Sequence, residues 1–175
     1  MNHTSDGEFA YGSGHINPVN ATKPGLVYEI LENDYVNMLC AMGYAQSSLR
    51  LISGDNNVTC NNTEASLKHS SPRDLNYPSM TAKVLPTKPF EIKFTRRVKN
   101  VGLANSTYKA NIFQSTNEVG VKVTPSVVSF KSLNEEKAFE VSVVGRGLAD
   151  GSVVSASFVW SDGEHIVRSP IVVYT

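Results

Sequence analysis

The second half of the chain alternates. "FEIKF" puts Phe90, Ile92 and Phe94 on one face of an extended backbone, "TYKANIF" does the same for Tyr108, Ala110 and Ile112, and "VGVKV" for Val119, Val121 and Val123. "VVSF" aligns Val128 with Phe130, and "AFEVSVV" aligns Phe139, Val141 and Val143. "VVSASFVW" aligns Val154, Ala156, Phe158 and Trp160, while "HIVRSPIVV" aligns Val167, Ile171 and Val173. A period of two is what a strand shows when one face is buried and the other wetted. Seven such runs with turn residues between them predict two packed antiparallel sheets rather than a helical or α/β fold.

The spacing predicts a mainly β chain, its second part a β-sandwich of the immunoglobulin or fibronectin type III kind. Asp162-Gly163, between the last two strands, predicts a two-residue type I′ hairpin loop. Arg96 falls at inward parity between Phe94 and Val98, so it is expected at a bend or edge, paired with a carboxylate, rather than in a binding site. Before Leu75 the texture differs. "NDYVNMLCAMGY" places Tyr35, Met38, Leu39 and Met42 at helical spacing, with Asn33 as N-cap and Gly43 past the end. "QSSLRLISG" predicts a second short helix stopping at Gly54, and the polar stretch from there to Pro78 reads as surface loop. Two short helices in some 75 residues bury little apolar surface by themselves. The expected division is therefore 1–74 and 75–175.

Charge and motif content exclude several functions. Lys and Arg total 16, as do Asp and Glu, so the chain offers no basic excess for nucleic acid. No apolar run approaches the ~20 residues that cross a bilayer, and the opening "MNHTSDGEF" has no apolar segment of the signal-peptide kind. His3, His15, His69 and His165 lack metal-ligand spacing, so no metal and no cofactor are expected. "AYGSGHINP" looks catalytic at first sight. Gly12-Ser13-Gly14 is nevertheless no nucleophile elbow, because position 10 is Ala. Ser13 and His15 are not expected to act together as a catalytic pair.

Five Asn-x-Thr sequons occur, at Asn2, Asn20, Asn57, Asn61 and Asn105. With 15 Asn and 31 Ser or Thr, chance supplies about 2.7. They are candidate N-glycosylation sites, with an Asn- and Thr-rich chain as the plainer explanation. Cys40 and Cys60 are the only cysteines. An even count beside sequons fits one disulfide in an oxidising compartment, and two free thiols remain an alternative.

The run "FAYGSGHINPVNATKPGLVYE", Phe9 to Glu29, resembles the segment downstream of the catalytic serine in plant subtilisin-like proteases of the cucumisin type. "DYVNMLCAMGY" resembles the helix that follows it, and "DLNYPSM", Asp74 to Met80, the approach to that family's C-terminal fibronectin type III-like domain. "RRVKNVG", Arg96 to Gly102, and "WSDGEHIVRSPIVV", Trp160 to Val173, resemble that domain's signature strands. Glu29 stands where the family usually has Asp, and "RRVKNVG" replaces a commoner Arg-Thr-Val-Thr-Asn-Val-Gly. The motifs run in order across nearly the whole chain.

The resemblance implies a C-terminal fragment: the end of an α/β subtilisin-type catalytic domain over 1–74 and a fibronectin type III-like domain over 75–175. It implies that Cys40 pairs with Cys60, closing a loop worth ~3 kcal/mol. The family is secreted, its members cleave protein and peptide substrates, and its triad runs Asp, His, Ser. This sequence contains no Gly-Thr-Ser-Met motif for the serine and no matching Asp or His motif. The chain is thus expected to hold no catalytic residue, to be inactive alone and to act as scaffold. Its main contact would be with the catalytic domain, against which "NMLCAM" should leave an uncovered apolar face. A non-catalytic module that binds a protein partner is the alternative.

Overall fold

Every alternating run is a strand. The computed structural model describes residues 7–60 and 71–175. The runs form β3 (Phe90–Asn100), β4 (Ser106–Gln114), β5 (Val119–Thr124), β6 (Val127–Phe130), β7 (Glu136–Gly145), β8 (Val153–Ser161) and β9 (Ile166–Tyr174). Two shorter strands precede them, β1 (Leu26–Val27) and β2 (Met80–Lys83). One sheet has the order β1-β3-β7-β5 and the other β2-β9-β8-β4-β6. All pairs are antiparallel except β2 with β9.

The inward faces match the alternation except at the end of β4, where Ile112 is 40% exposed. Phe94, Val98, Val141 and Val143 from one sheet and Phe158, Trp160, Ile171 and Val173 from the other are essentially buried. Phe139 crosses between the sheets, edge-on to Trp160 with ring centres 5.2 Å apart and to Phe158 at 5.7 Å. Such edge-to-face contacts add to what burial of the rings already contributes.

Two expectations are corrected here. The β8–β9 connection is not a two-residue type I′ loop, since Ser161 pairs with Ile166 and four residues lie between them. Gly163 has φ 98°, whereas Asp162 is absent from the residues with positive φ. The reason is that the Asp162 side chain organises the loop, with Oδ1 accepting from the amides of Glu164 (3.0 Å) and His165 (2.6 Å). Arg96 lies mid-strand rather than at a bend, opposite Phe139 and only 3% exposed. Its guanidinium stands over the Phe94 ring, 5.5 Å from the centroid, and Nη1 donates to the Thr95 carbonyl.

Compactness groups the chain otherwise than the expected division into 1–74 and 75–175. One compact unit comprises the residues through Tyr28 together with Pro78–Thr175, and the other is Glu29–Tyr77. The first unit includes the short helices α1 (Gly7–Tyr11) and α2 (Pro18–Ala21), the latter capped by the Asn17 side chain, which accepts from the Asn20 amide. The second holds α3 (Glu32–Ala41), α4 (Gln46–Ser53) and a 3₁₀ turn at Pro72–Asp74. The cap of α3 is not Asn33 but Leu31, two residues earlier, and Asp34 Oδ2 accepts from the Leu31 amide at 2.8 Å. Its buried residue is Val36, whereas Tyr35 and Met42 are exposed. Cys40 and Cys60 form a disulfide, with Cα atoms 5.7 Å apart.

Candidate functional site

The residues first singled out for chemistry do not converge. Ser13 and His15 are both exposed, and Ser13 is held through its backbone carbonyl, which accepts from Arg168 Nη1 at 3.4 Å. Among the described residues no group of three or more His, Cys, Asp and Glu is placed to hold a metal ion, and no helix is long and apolar enough to cross a membrane. Of the sequons, Asn20, Asn57 and Asn105 are exposed, while Asn2 and Asn61 lie outside the described residues.

What the structure does assemble is a seat for the segment from Gly7 to Tyr28, built at three points. The first is the outer face of β8 and β9. Ser157, Pro170 and Val172 point outward there yet are buried, because this face is not left to water. Glu8 of α1 accepts from the Ser155 hydroxyl and pairs with Arg168 Nη2 at 3.1 Å. Burial works against the Glu8 carboxylate, but these two partners outweigh it and hold its pKa below the usual glutamate value. Phe9 meets Tyr174 edge-on, with centroids 5.6 Å apart.

The second point is Gly25. Its carbonyl accepts from the amides of Val101 (2.9 Å) and Gly102 (3.0 Å), and the next two residues form β1 against the end of β3. Gly25 has φ 74°, a region that glycine enters without steric cost. A Cβ there would meet Tyr108 Oη at 2.6 Å and His165 Cγ at 2.7 Å. The wall it faces is stiff. His165 Nδ1 is 2.8 Å from Asp162 Oδ2, and the Tyr108 ring lies beside the imidazole. Burial penalises the Asp162 charge, but the amides of His165 and Glu164 and the His165 ring prevail, bringing its pKa from 3.8 down to about 2. Tyr108 shifts the other way, up to about 12, through burial and the neighbouring charges of Asp162 and Glu164.

The third point is Tyr28. Its ring packs edge-on against Phe139, and its hydroxyl is 2.6 Å from that of Ser169, a residue with no exposed surface. Burial pushes the Tyr28 phenol up to about 12, against smaller lowering effects of Ser169 and Arg96.

The segment thus begins on the outside of one sheet, gives a strand to the other and ends with a tyrosine in the core between them. Glu8, Gly25, Tyr28, Arg168, Asp162 and His165 were not candidates on sequence grounds. An Asp-Gly turn followed two residues later by His was the one local signal available for this wall.

Comparison with known proteins follows the same outline. A family model described as "Fibronectin type-III domain" matches residues 74–173. "Subtilisin-like protease SBT4.4" of Arabidopsis thaliana is 49% identical over 168 residues, covering 95% of this chain and 22% of its own length. "Subtilisin-like protease SBT4.6" of the same plant is 51% identical over 167 residues, with the same shares of the two chains. "Subtilisin-like protease SBT4.3" is 49% identical over 168 residues, 96% of this chain and 22% of its own. The chain therefore spans about a fifth of the length of these curated relatives.

Proposed function

The chain belongs to the fibronectin type-III domain family in the form related to plant subtilisin-like proteases, and on that premise we propose that it is the non-catalytic C-terminal portion of a secreted subtilisin-like serine endopeptidase. The observation that carries this reading is the pattern of identity: about half the residues agree along 95% of this chain, over only 22% of each relative. In the complete enzyme a serine attacks the substrate's peptide carbonyl with a histidine as base and an aspartate orienting it. None of those three groups is assigned to this chain, and residues 1–74 are read as the end of the domain that carries them.

The part played by this portion is to brace. The loop around "GSGHINP", which by resemblance lies downstream of the nucleophile, is tethered through Glu8 and Ser13 to Arg168 on β9. Ile16 and Val19, 86% and 78% exposed, are apolar side chains that the remainder of a catalytic domain would cover. Protein and peptide substrates belong to the complete enzyme, and the compartment is extracellular.

A fluorophosphonate probe tests this, because it labels an activated serine and ignores an ordinary one. Full-length "Subtilisin-like protease SBT4.4" should take the label and this 19.0 kDa chain should not. A stoichiometrically labelled chain would falsify the reading.

A further inference from the structure

We propose that Asn105 is an N-glycosylation site. Three sequons fall on described residues, and their settings differ. Asn20 lies within α2, with its amide bonded to Asn17 Oδ1 at 3.2 Å and the hydroxyl of its own sequon's Thr22 donating to the Val19 carbonyl at 2.8 Å. Both contacts fix a helical backbone around Asn20. Asn57 sits in a turn organised by Asp55, whose Oδ1 accepts from the Asn57 amide at 2.8 Å. There the carbonyl of Val58 accepts from Gln46 Nε2, and Cys60, next after the sequon's Thr59, is joined to Cys40.

Asn105 stands in the β3–β4 connection, exposed and with φ 58°. Asparagine is one of the few residues besides glycine that adopts this left-handed conformation readily, so turn and sequon ask for the same side chain. The connection is held at its base by Asn100, fully buried at the end of β3. Asn100 Nδ2 donates to the carbonyls of Leu103 (2.9 Å) and Ser132 (3.2 Å), and Oδ1 accepts from the Gly102 amide (3.1 Å). The rest of the sequon, Ser106-Thr107, runs straight into β4, and Thr107 faces outward with its hydroxyl 2.9 Å from that of Ser129. Acceptor amide and hydroxyl residue are thus both presented at the surface of a rigid tip. A glycan is bulky and strongly hydrated, so its attachment there keeps this end of the sandwich in water.

The natural relevance of this site rests on the extracellular reading above, and the test is built to be independent of it. The full chain is expressed with a secretion signal appended, in a eukaryotic host. The secreted protein is treated with a peptide-N-glycosidase in ¹⁸O water and mapped by peptide mass. Asn105 should be recovered as ¹⁸O-labelled Asp in most molecules, to a greater extent than Asn20 or Asn57. Asn105→Gln and Thr107→Ala should each remove one step of gel mobility, the second variant guarding against a folding defect specific to the turn. Recovery of Asn105 unlabelled from secreted, folded chain would overturn the proposal. Because the signal is supplied, that failure is distinct from failure of the extracellular reading.

Discussion

The hydroxyls of Tyr28 and Ser169 stand 2.6 Å apart although 141 residues separate them in the chain. This contact joins the last residue of the docked segment to an inward-facing position on β9, in a region from which water is excluded. Removing the phenolic oxygen leaves the Ser169 hydroxyl buried and unpaired, so Tyr28→Phe should cost about 1–2 kcal/mol. Tyr28→Ala also removes the ring packed on Phe139, and should cost about 3–5 kcal/mol. Urea denaturation of the chain checks both. Adding Ser169→Ala to Tyr28→Phe should recover part of the loss, because no orphaned hydroxyl then remains.

Gly25→Ala meets two obstacles at once. The φ of 74° disfavours any side chain, and the new Cβ would lie 2.6 Å from Tyr108 Oη and 2.7 Å from His165 Cγ. Neither ring is free to retreat, since Tyr108 is buried and His165 is tied to Asp162. A loss of roughly 2–3 kcal/mol is expected, from backbone strain plus overpacking. The denaturation midpoint should fall, while the same change at Gly12, which has open space around it, should cost only the backbone part.

Acid should loosen the same wall. The Asp162 carboxyl titrates at about 2 when folded, below its ordinary 3.8. A depressed folded value means that the unfolded chain binds the proton first as pH falls. The stability it contributes is therefore whole above about pH 4 and is lost between about pH 4 and pH 2. Asp162→Asn should be less stable near neutrality and should show a flatter dependence of stability on pH in that window. An unchanged slope in the variant would remove Asp162 from this role.

The sandwich was legible because alternation is a local signal, and burial follows it in most strands, though not at Ile112 near the end of β4. The short strands β1 and β2 were not legible, since two to four residues carry too little periodicity to stand out. Helix α3 was legible in part: Tyr35 and Met42, on the stripe expected to be left uncovered, are exposed, while Val36, which the spacing did not single out, is its buried residue. The seat for the N-terminal segment was hidden more deeply. Glu8 with Arg168 and Tyr28 with Ser169 are contacts across 160 and 141 residues, and nothing local to either partner announces the other. The loop at Asp162 misled in the opposite way: Asp-Gly favours a type I′ turn locally, but the two amides that Asp162 Oδ1 accepts stabilise a longer one.

Residues 7–28 are an integral part of the sandwich and not an arm laid beside it. Native-state hydrogen exchange at Val101 and Gly102 tests this most directly, because both amides donate to the Gly25 carbonyl. If the segment and the sandwich form one cooperative unit, these two amides should exchange with the same free energy as those of Val141 and Val143 in the centre of β7, and should lose that protection in Gly25→Ala. Exchange at the rate of an unprotected peptide, with β7 still protected, would show that the segment comes away by itself and would contradict the account.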